Sequence, residues 1–244
     1  MMSKPTFRRF IAYIIDIIII SLIVGAFSSI RFLNPKLDEY NEAQKQYQDY
    51  ITELSMTNPA GAFSDEKAQN MSYDVTYYGV YTSIISLVVT FLYFSVFQYY
   101  TKGKTIGKLA MGIELISTDK KELRMSQVII HSAIIDSILT SSLLVIATLF
   151  LSKTSFMKTS LFIQILDLAL VFISIAMIIY RDDGIGLHDK LAHTRVVVKG
   201  ERPEELVKEA EYTEKNTEDV KEKVVEKKKT VRKAKKEVVK KEDE

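Results

Sequence analysis

Residues 7–20 read FRRFIAYIIDIIII: two arginines, then an apolar run with one carboxylate, Asp16, in its middle. The run continues to about residue 30, long enough to supply the roughly 20 helical residues that cross a hydrocarbon layer of about 30 Å. A charged aspartate near the centre of such a helix costs roughly 2.5–3.5 kcal/mol on insertion scales, so it should face a partner, water or a proton. Arg9 lies seven residues earlier, on nearly the same helix face but about 10 Å away along the axis. Side chains lean toward the helix N-terminus, so Asp16 leans toward Arg9 while Arg9 leans away. The spacing therefore disfavours a bond within the helix and predicts that Asp16 faces the interior of a bundle. A secretory signal is rejected, because the run is too long and Asp16 would weaken it.

Three further runs of this kind occur, giving spans near 10–30, 78–98, 127–150 and 159–180. The apolar content of 47% is bunched into these runs, which marks a membrane class of sequence. The absence of cysteine excludes disulfides, thiolate metal sites and cysteine nucleophiles. The net charge of +2 says less than its distribution. Lys4, Arg8 and Arg9 precede the first span, Lys102, Lys104, Lys108, Lys120, Lys121 and Arg124 crowd the link between the second and third, and Arg181, Lys190 and Arg195 follow the fourth. The segment from Arg31 to Tyr77 is acidic on balance. By the positive-inside rule both termini are cytoplasmic. The expected fold is an all-α membrane protein with four transmembrane helices. Residues 1–200 form the membrane domain, with an extracytoplasmic helical insertion near 31–77, and residues 201–244 form a charged cytoplasmic tail.

In the insertion, Leu37, Tyr40, Tyr47, Ile51 and Leu54 recur at helical spacing after Asn34-Pro35. They predict an amphipathic helix over about 36–55, broken at Asn58-Pro59-Ala60-Gly61 and followed by a second helix toward the second span. It reads as a cap over the bundle or as a surface for an outside partner. The link TKGKTIGKLAMGIELIS, residues 101–117, is not a phosphate loop: Gly103 and Gly107 enclose three residues instead of four before the Gly-Lys pair, and Leu109 follows Lys108 where Ser or Thr is needed. A short basic helix fits better, with Lys104 and Lys108 reaching toward anionic headgroups or protein carboxylates. Beyond Gly112 the alternation Ile113-Glu114-Leu115, the turn-like Thr118-Asp119-Lys120-Lys121 and then Glu122-Leu123-Arg124 suggest a small cytoplasmic hairpin. Thr194 to Val198 could add a strand and bring Asp189 and the glycine-containing link together beneath the bundle. The tail keeps only a weak seam of Ala, Thr and Lys, so a frayed helix or disorder is expected. Its lysines from Lys221 to Lys241 suit contact with anionic lipid, protein or nucleic acid.

Three ordered segments carry a family resemblance. They are Arg9-Phe10-Ile11-Ala12-Tyr13-Ile14-Ile15-Asp16, then Gly103-Lys104-Thr105-Ile106-Gly107-Lys108 continuing to Gly112-Ile113, and Gly186-Leu187-His188-Asp189-Lys190-Leu191-Ala192-His193-Thr194. Together they resemble the RDD family of bacterial membrane proteins over residues 5 to about 199. The resemblance implies a multi-span protein of the bacterial cell membrane with a role in transport. It places the family's arginine on Arg9, its first aspartate on Asp16 and its second on Asp189, with Asp136 the alternative because it also ends an Ile-Ile-Asp run. Two departures weaken transfer of a detailed mechanism: His193 stands where a small residue is expected before Thr194, and His131 stands near the start of the third span in place of a basic residue. On this reading Arg9 is held by a carboxylate of the cytoplasmic cap, Asp189 first.

Asp136 and Asp167 add a carboxylate to each of the third and fourth spans, expected to be buried. Intramembrane acids in three spans suit a cation or proton path, sodium/proton exchange included, with Asp16 central and Arg9 and Asp189 forming a cytoplasmic latch. The competing reading is that these polar groups bind helices together within a scaffold or a homo-oligomer that recruits partners through the outer helix and tail. No enzyme is expected. His188 and His193 are five apart and lack the intervening glutamate of a helical zinc motif, so neither metal nor cofactor is assigned. Closeness of His131 to Asp136 would fit a proton relay.

Overall fold

The computed structural model describes residues 5–58, 65–119 and 122–200. The expectations for the tail, for the Pro59–Gly61 break and for the Lys120-Lys121 turn lie outside these residues. Helix α1 spans Thr6–Ser28. Helices α2 (Leu37–Thr57) and α3 (Glu66–Tyr78) form the insertion, and α4 runs over Val80–Tyr100. A short helix α5 (Ile106–Ala110) and strand β1 (Ile113–Ser117) follow. The chain then builds α6 (Met125–Ile135), α7 (Ile138–Phe150), α8 (Lys153–Tyr180), α9 (Leu187–Ala192) and β2 (Thr194–Val198).

Helices α1, α4 and α8 are each long and apolar enough to cross a membrane, and α6 with α7 makes a fourth candidate. Their outward faces carry large apolar side chains, among them Leu22, Leu168 and Phe172 at about 70% exposure, a surface matched to lipid rather than water. The expected third span is not one helix. It breaks between Ile135 and Ile138 with a bend of 67°, where Ser137 takes φ 53°, a left-handed conformation that ends α6. Asp136 sits at this break. The fourth span is longer than expected, beginning at Lys153 rather than near 159.

Within α4, residues Leu92–Phe97 form a π-helical turn. The wider turn leaves the Phe94 carbonyl available to the Ser132 hydroxyl of α6, which donates to it at 2.8 Å. On the insertion side, the fully buried Asn34 amide donates to the Ser28 carbonyl and to the Thr82 hydroxyl, both at 3.1 Å, closing the end of α1 onto α4. Asp65 caps α3 through Ala68 N at 2.7 Å and accepts the Tyr50 hydroxyl at 3.1 Å, so one carboxylate starts α3 and fastens α2 to it. No residue of α2 is buried.

The local hairpin expected after Ile113 does not form among the described residues. Strand β1 pairs antiparallel with β2, Ile113 opposite Val198 and Ser117 opposite Thr194. The reason lies in Gln127: its side chain accepts from Arg124 N at 3.1 Å and donates to the His193 carbonyl at 2.9 Å, so residues after Asp119 start α6 and hold the beginning of β2. Beneath this pair lies a core of Ala12, Ile113, Leu115, Val128 and Val196, drawn from α1, both strands and α6. A second cluster of Ile20, Tyr93 and Phe94 joins α1 to α4, and a third of Ala147, Phe156 and Ile163 joins α7 to α8.

Candidate functional site

The link after α4 is shaped by two glycines. Gly103 adopts φ 84°, and a Cβ there would lie 2.0 Å from the Leu115 carbonyl oxygen, which explains why the chain can double back onto β1. At Gly107 a Cβ would lie 2.1 Å from the Ala12 carbonyl oxygen and 2.8 Å from the Asp16 carboxyl. Only a glycine lets α5 press its backbone against α1 at this point. Thr105 caps α5 by accepting from Lys108 N at 3.2 Å. The same hydroxyl donates to Asp16 Oδ2 at 2.6 Å. Asp16 Oδ1 accepts from Gly107 N at 2.7 Å and from the Tyr93 hydroxyl at 2.6 Å. Tyr93 in turn accepts from Ile106 N at 3.1 Å.

Asp16 is thus 1% exposed and holds three donors, two from the re-entering link and one from α4. The carboxylate faces the interior as expected, and its partners are neutral donors. Hydrogen bonds to a charged acceptor are the stronger kind, about 1.5–3 kcal/mol each, so three of them offset the cost of placing the charge there. Tyr93 was not foreseen: inside an apolar run its ring reads as core filling, and no spacing rule marks its hydroxyl.

Arg9 is held far from Asp16. Its Nη1 donates to Asp189 Oδ2 at 3.0 Å and to the Gly184 carbonyl at 3.2 Å, and its Nη2 donates to the Val196 carbonyl at 3.3 Å. The Arg9–Asp189 pair joins residues 180 positions apart, linking the start of α1 to α9 and β2. Asp189 is placed by local sequence: it stands at the third position of α9 and accepts from Gly186 N at 3.2 Å, an acid in the first turn as a helix N-terminus favours. Burial works against the Asp189 charge, but the Arg9 guanidinium holds the carboxyl well below the usual carboxylate range.

Two histidines complete this cluster. His131 Nδ1 lies 3.3 Å from Asp189 Oδ1 and 3.2 Å from the Thr194 hydroxyl, while His188 Nε2 lies 3.6 Å from Asp189 Oδ2. Burial pushes His188 down to about 3, so its ring is neutral at physiological pH. His131, His188 and Asp189 are the described residues that come close enough together to hold a metal ion. Arg9 already occupies Asp189 Oδ2 with a fixed positive charge, which opposes a divalent cation at this trio. His131 turns to Asp189 and Thr194; the relay expected between it and Asp136 is not a direct contact in this arrangement.

Between α1 and α8 lies a cavity of about 520 Å³. Phe7, Phe10 and Tyr13 line it from α1, and Val171, Ile175 and Ile179 from α8. Its polar end is formed by Arg9, Asp16, Lys108, His131, Asp136 and His188. Lys108 and Asp136 therefore both line this end of the cavity. Lys104 instead pairs with Glu114 at 3.0 Å. Lys104 thus reaches a protein carboxylate, one of the two possibilities open from sequence.

Asp167 is not among the cavity-lining residues. It accepts from the Thr140 hydroxyl at 2.5 Å, a contact between α7 and α8. Neither Asp136 nor Asp167 is fully buried as expected: the first sits at a helix break beside the cavity, the second on a helix with a largely lipid-facing surface. The three intramembrane acids divide accordingly. Asp16 and Asp136 share the cavity, and Asp167 belongs to a helix contact. Gly112, with φ 64°, and Thr194 act through the strand pair that carries the link and α9 toward α1.

Comparison with curated proteins and with solved structures gave no significant match. The model of the RDD family matches residues 4–193, a stretch that contains α1, the re-entering link, the broken helix and α9. With most of its length inside that match and several helices fit to span a bilayer, the chain belongs to the RDD family, a membrane-associated family.

Proposed function

We propose that this protein passes a small cation or proton across the bacterial cell membrane, sodium/proton exchange being one form, and that Asp136 rather than Asp16 takes up the charge. The observation that carries the reading is that Lys108 and Asp136 line the same cavity, the second at a break in an otherwise apolar helix pair. Irregular backbone at membrane depth is tolerated where it lines a cavity, and broken helices with ionisable groups are a recurrent way to build ion sites. Asp16 suits an anchoring role, since its oxygens are occupied by Tyr93, Thr105 and Gly107. At Asp136 an arriving cation would compete with the Lys108 ammonium, and a proton would release it. The distribution of lysine and arginine beside the spans supports an orientation with the strand pair and both termini in the cytoplasm.

The test is proton movement in reconstituted vesicles on addition of sodium, potassium or lithium salts. The wild type should give a cation-dependent signal that Asp136→Asn abolishes. Wild-type vesicles with folded, inserted protein and no signal for any ion or proton gradient would overturn the reading. A second reading is favoured by the exposed α2, none of whose residues is buried: a scaffold or assembly factor that engages partners, or a second copy of itself, outside the membrane. Crosslinking from Met56, 80% exposed at the end of α2, tests it. Capture of a defined partner that is lost when the polar face of α2 is replaced would favour the scaffold.

A further inference from the structure

The cavity between α1 and α8 has a character that a passage for hydrated ions does not need. Its walls are apolar and aromatic, with rings from Phe7, Phe10, Tyr13 and Phe94. Several of the same side chains are also exposed on the outer apolar surface: Phe7 at 73%, Phe10 at 61%, Ile175 at 47% and Ile179 at 55%. Exposure this large on apolar side chains of two helices long enough to cross a bilayer places the mouth of the cavity between those helices, on a surface suited to lipid. Its volume of about 520 Å³ falls in the range of pockets that enclose a drug-sized molecule.

The charges at the inner end do not balance. Counted as formal charges, Arg9 and Lys108 set two cationic groups against the three carboxyl groups of Asp16, Asp136 and Asp189. Arg9 is committed to Asp189 and two backbone carbonyls, which leaves Lys108 alone opposite Asp16 and Asp136. An excess of negative charge in a low-dielectric, aromatic-lined space attracts a positive ligand, through direct Coulomb attraction and through the faces of the rings. We infer that this lateral cavity is a binding site for a lipophilic cation, entering from the bilayer with its apolar groups between α1 and α8 and its charge toward Asp136. The site does not depend on ion passage, because occupancy requires no gradient.

The experiment uses two ions of the same shape and opposite charge, radiolabelled tetraphenylphosphonium and tetraphenylborate. Each is bound at equilibrium to the full-length protein in phosphatidylcholine nanodiscs, with the signal of empty nanodiscs subtracted. Tetraphenylphosphonium should saturate at one per chain and bind at least about tenfold more tightly than tetraphenylborate. Asp136→Asn should weaken the cation by about tenfold or more, and Ile175→Trp, which fills the cavity, should abolish binding. Leu161→Trp, at a lipid-facing position of α8 outside the cavity, should leave it intact. Loss in Ile175→Trp counts only with an unchanged melting temperature; if that variant is unstable, Asp136→Asn alone decides. No saturable binding, equal binding of both ions, or binding unchanged in Asp136→Asn would overturn the inference. Since no salt gradient is applied, such a failure leaves the transport reading untouched, and a failure of transport leaves this site standing.

Discussion

Replacing Gly107 by alanine tests the docking of the link onto α1 with a single methyl group. The added Cβ would stand 2.1 Å from the Ala12 carbonyl oxygen and 2.8 Å from the Asp16 carboxyl, where ordinary contact begins at 3.4 Å. Both neighbours are fixed, the first by helix α1 and the second by its three donors, so α5 must move away by more than 1 Å. That displacement breaks the 2.7 Å bond from Gly107 N to Asp16, worth about 1.5–3 kcal/mol for a charged acceptor. Overpacking adds about 1–3 kcal/mol. Together they predict a loss of about 3–5 kcal/mol of stability. Gly25→Ala is the control, because nothing lies within 4 Å of a Cβ there. In the same helical environment it should be neutral or stabilising by up to about 1 kcal/mol. The assay is unfolding of the protein in mixed micelles by titration with dodecyl sulfate, followed by near-ultraviolet circular dichroism of its tyrosines. A Gly107→Ala stability within about 1 kcal/mol of wild type, or an equal loss in Gly25→Ala, would refute the argument for a close backbone approach.

The Arg9–Asp189 pair predicts strong coupling: Arg9→Gln and Asp189→Asn should each cost about 3–5 kcal/mol, and the double variant clearly less than their combined losses, as a double-mutant cycle in the same micelles would measure. His188, held neutral with its pKa pushed down to about 3, should make stability fall as pH drops below about 6.5, because the unfolded chain then binds a proton the folded one refuses. The His188 contribution to this slope should approach about 1.4 kcal/mol per pH unit and be lost in His188→Gln; a slope unchanged in that variant would remove the buried neutral ring as a source. The depressed Asp189 carboxyl contributes fully above about pH 4 and loses its contribution only below it, so Asp189→Asn should flatten the acid limb below that point. Thr140→Val removes the donor to Asp167 between α7 and α8 and should cost about 0.6–2 kcal/mol, with no further loss when combined with Asp167→Asn.

The apolar lengths of α1, α4 and α8 were legible because a bilayer sets one simple requirement, enough hydrophobic residues in sequence, and local composition meets it or fails. The amphipathic α2 was legible for a similar reason, since its helical spacing lies within one short stretch. Sequence also marked Arg9, Asp16 and Asp189 as residues needing an explanation, and the re-entering link as something other than a phosphate loop. It pointed Arg9 to Asp189 as well, and what it left undecided was which groups meet Asp16. Asp16 finds Tyr93 77 residues away and Thr105 89 away, and nothing local to an apolar run distinguishes a tyrosine that donates to a carboxylate from one that merely fills space. The break at Asp136-Ser137 was hidden because Ile-Ile-Asp followed by more apolar residues satisfies the length rule whether or not the helix is straight. Likewise β1 could have paired with the residues just after it. Pairing with β2 instead depends on Gln127 joining the His193 carbonyl, a contact that exists only once α6 has packed. Sequence by itself thus determined the membrane-fitting helices and the charges that demand partners, because those follow from composition over a few turns. Tertiary structure alone decided the partners of Asp16, the bend and the cavity, because each depends on donors, acceptors and apolar faces brought together across most of the chain.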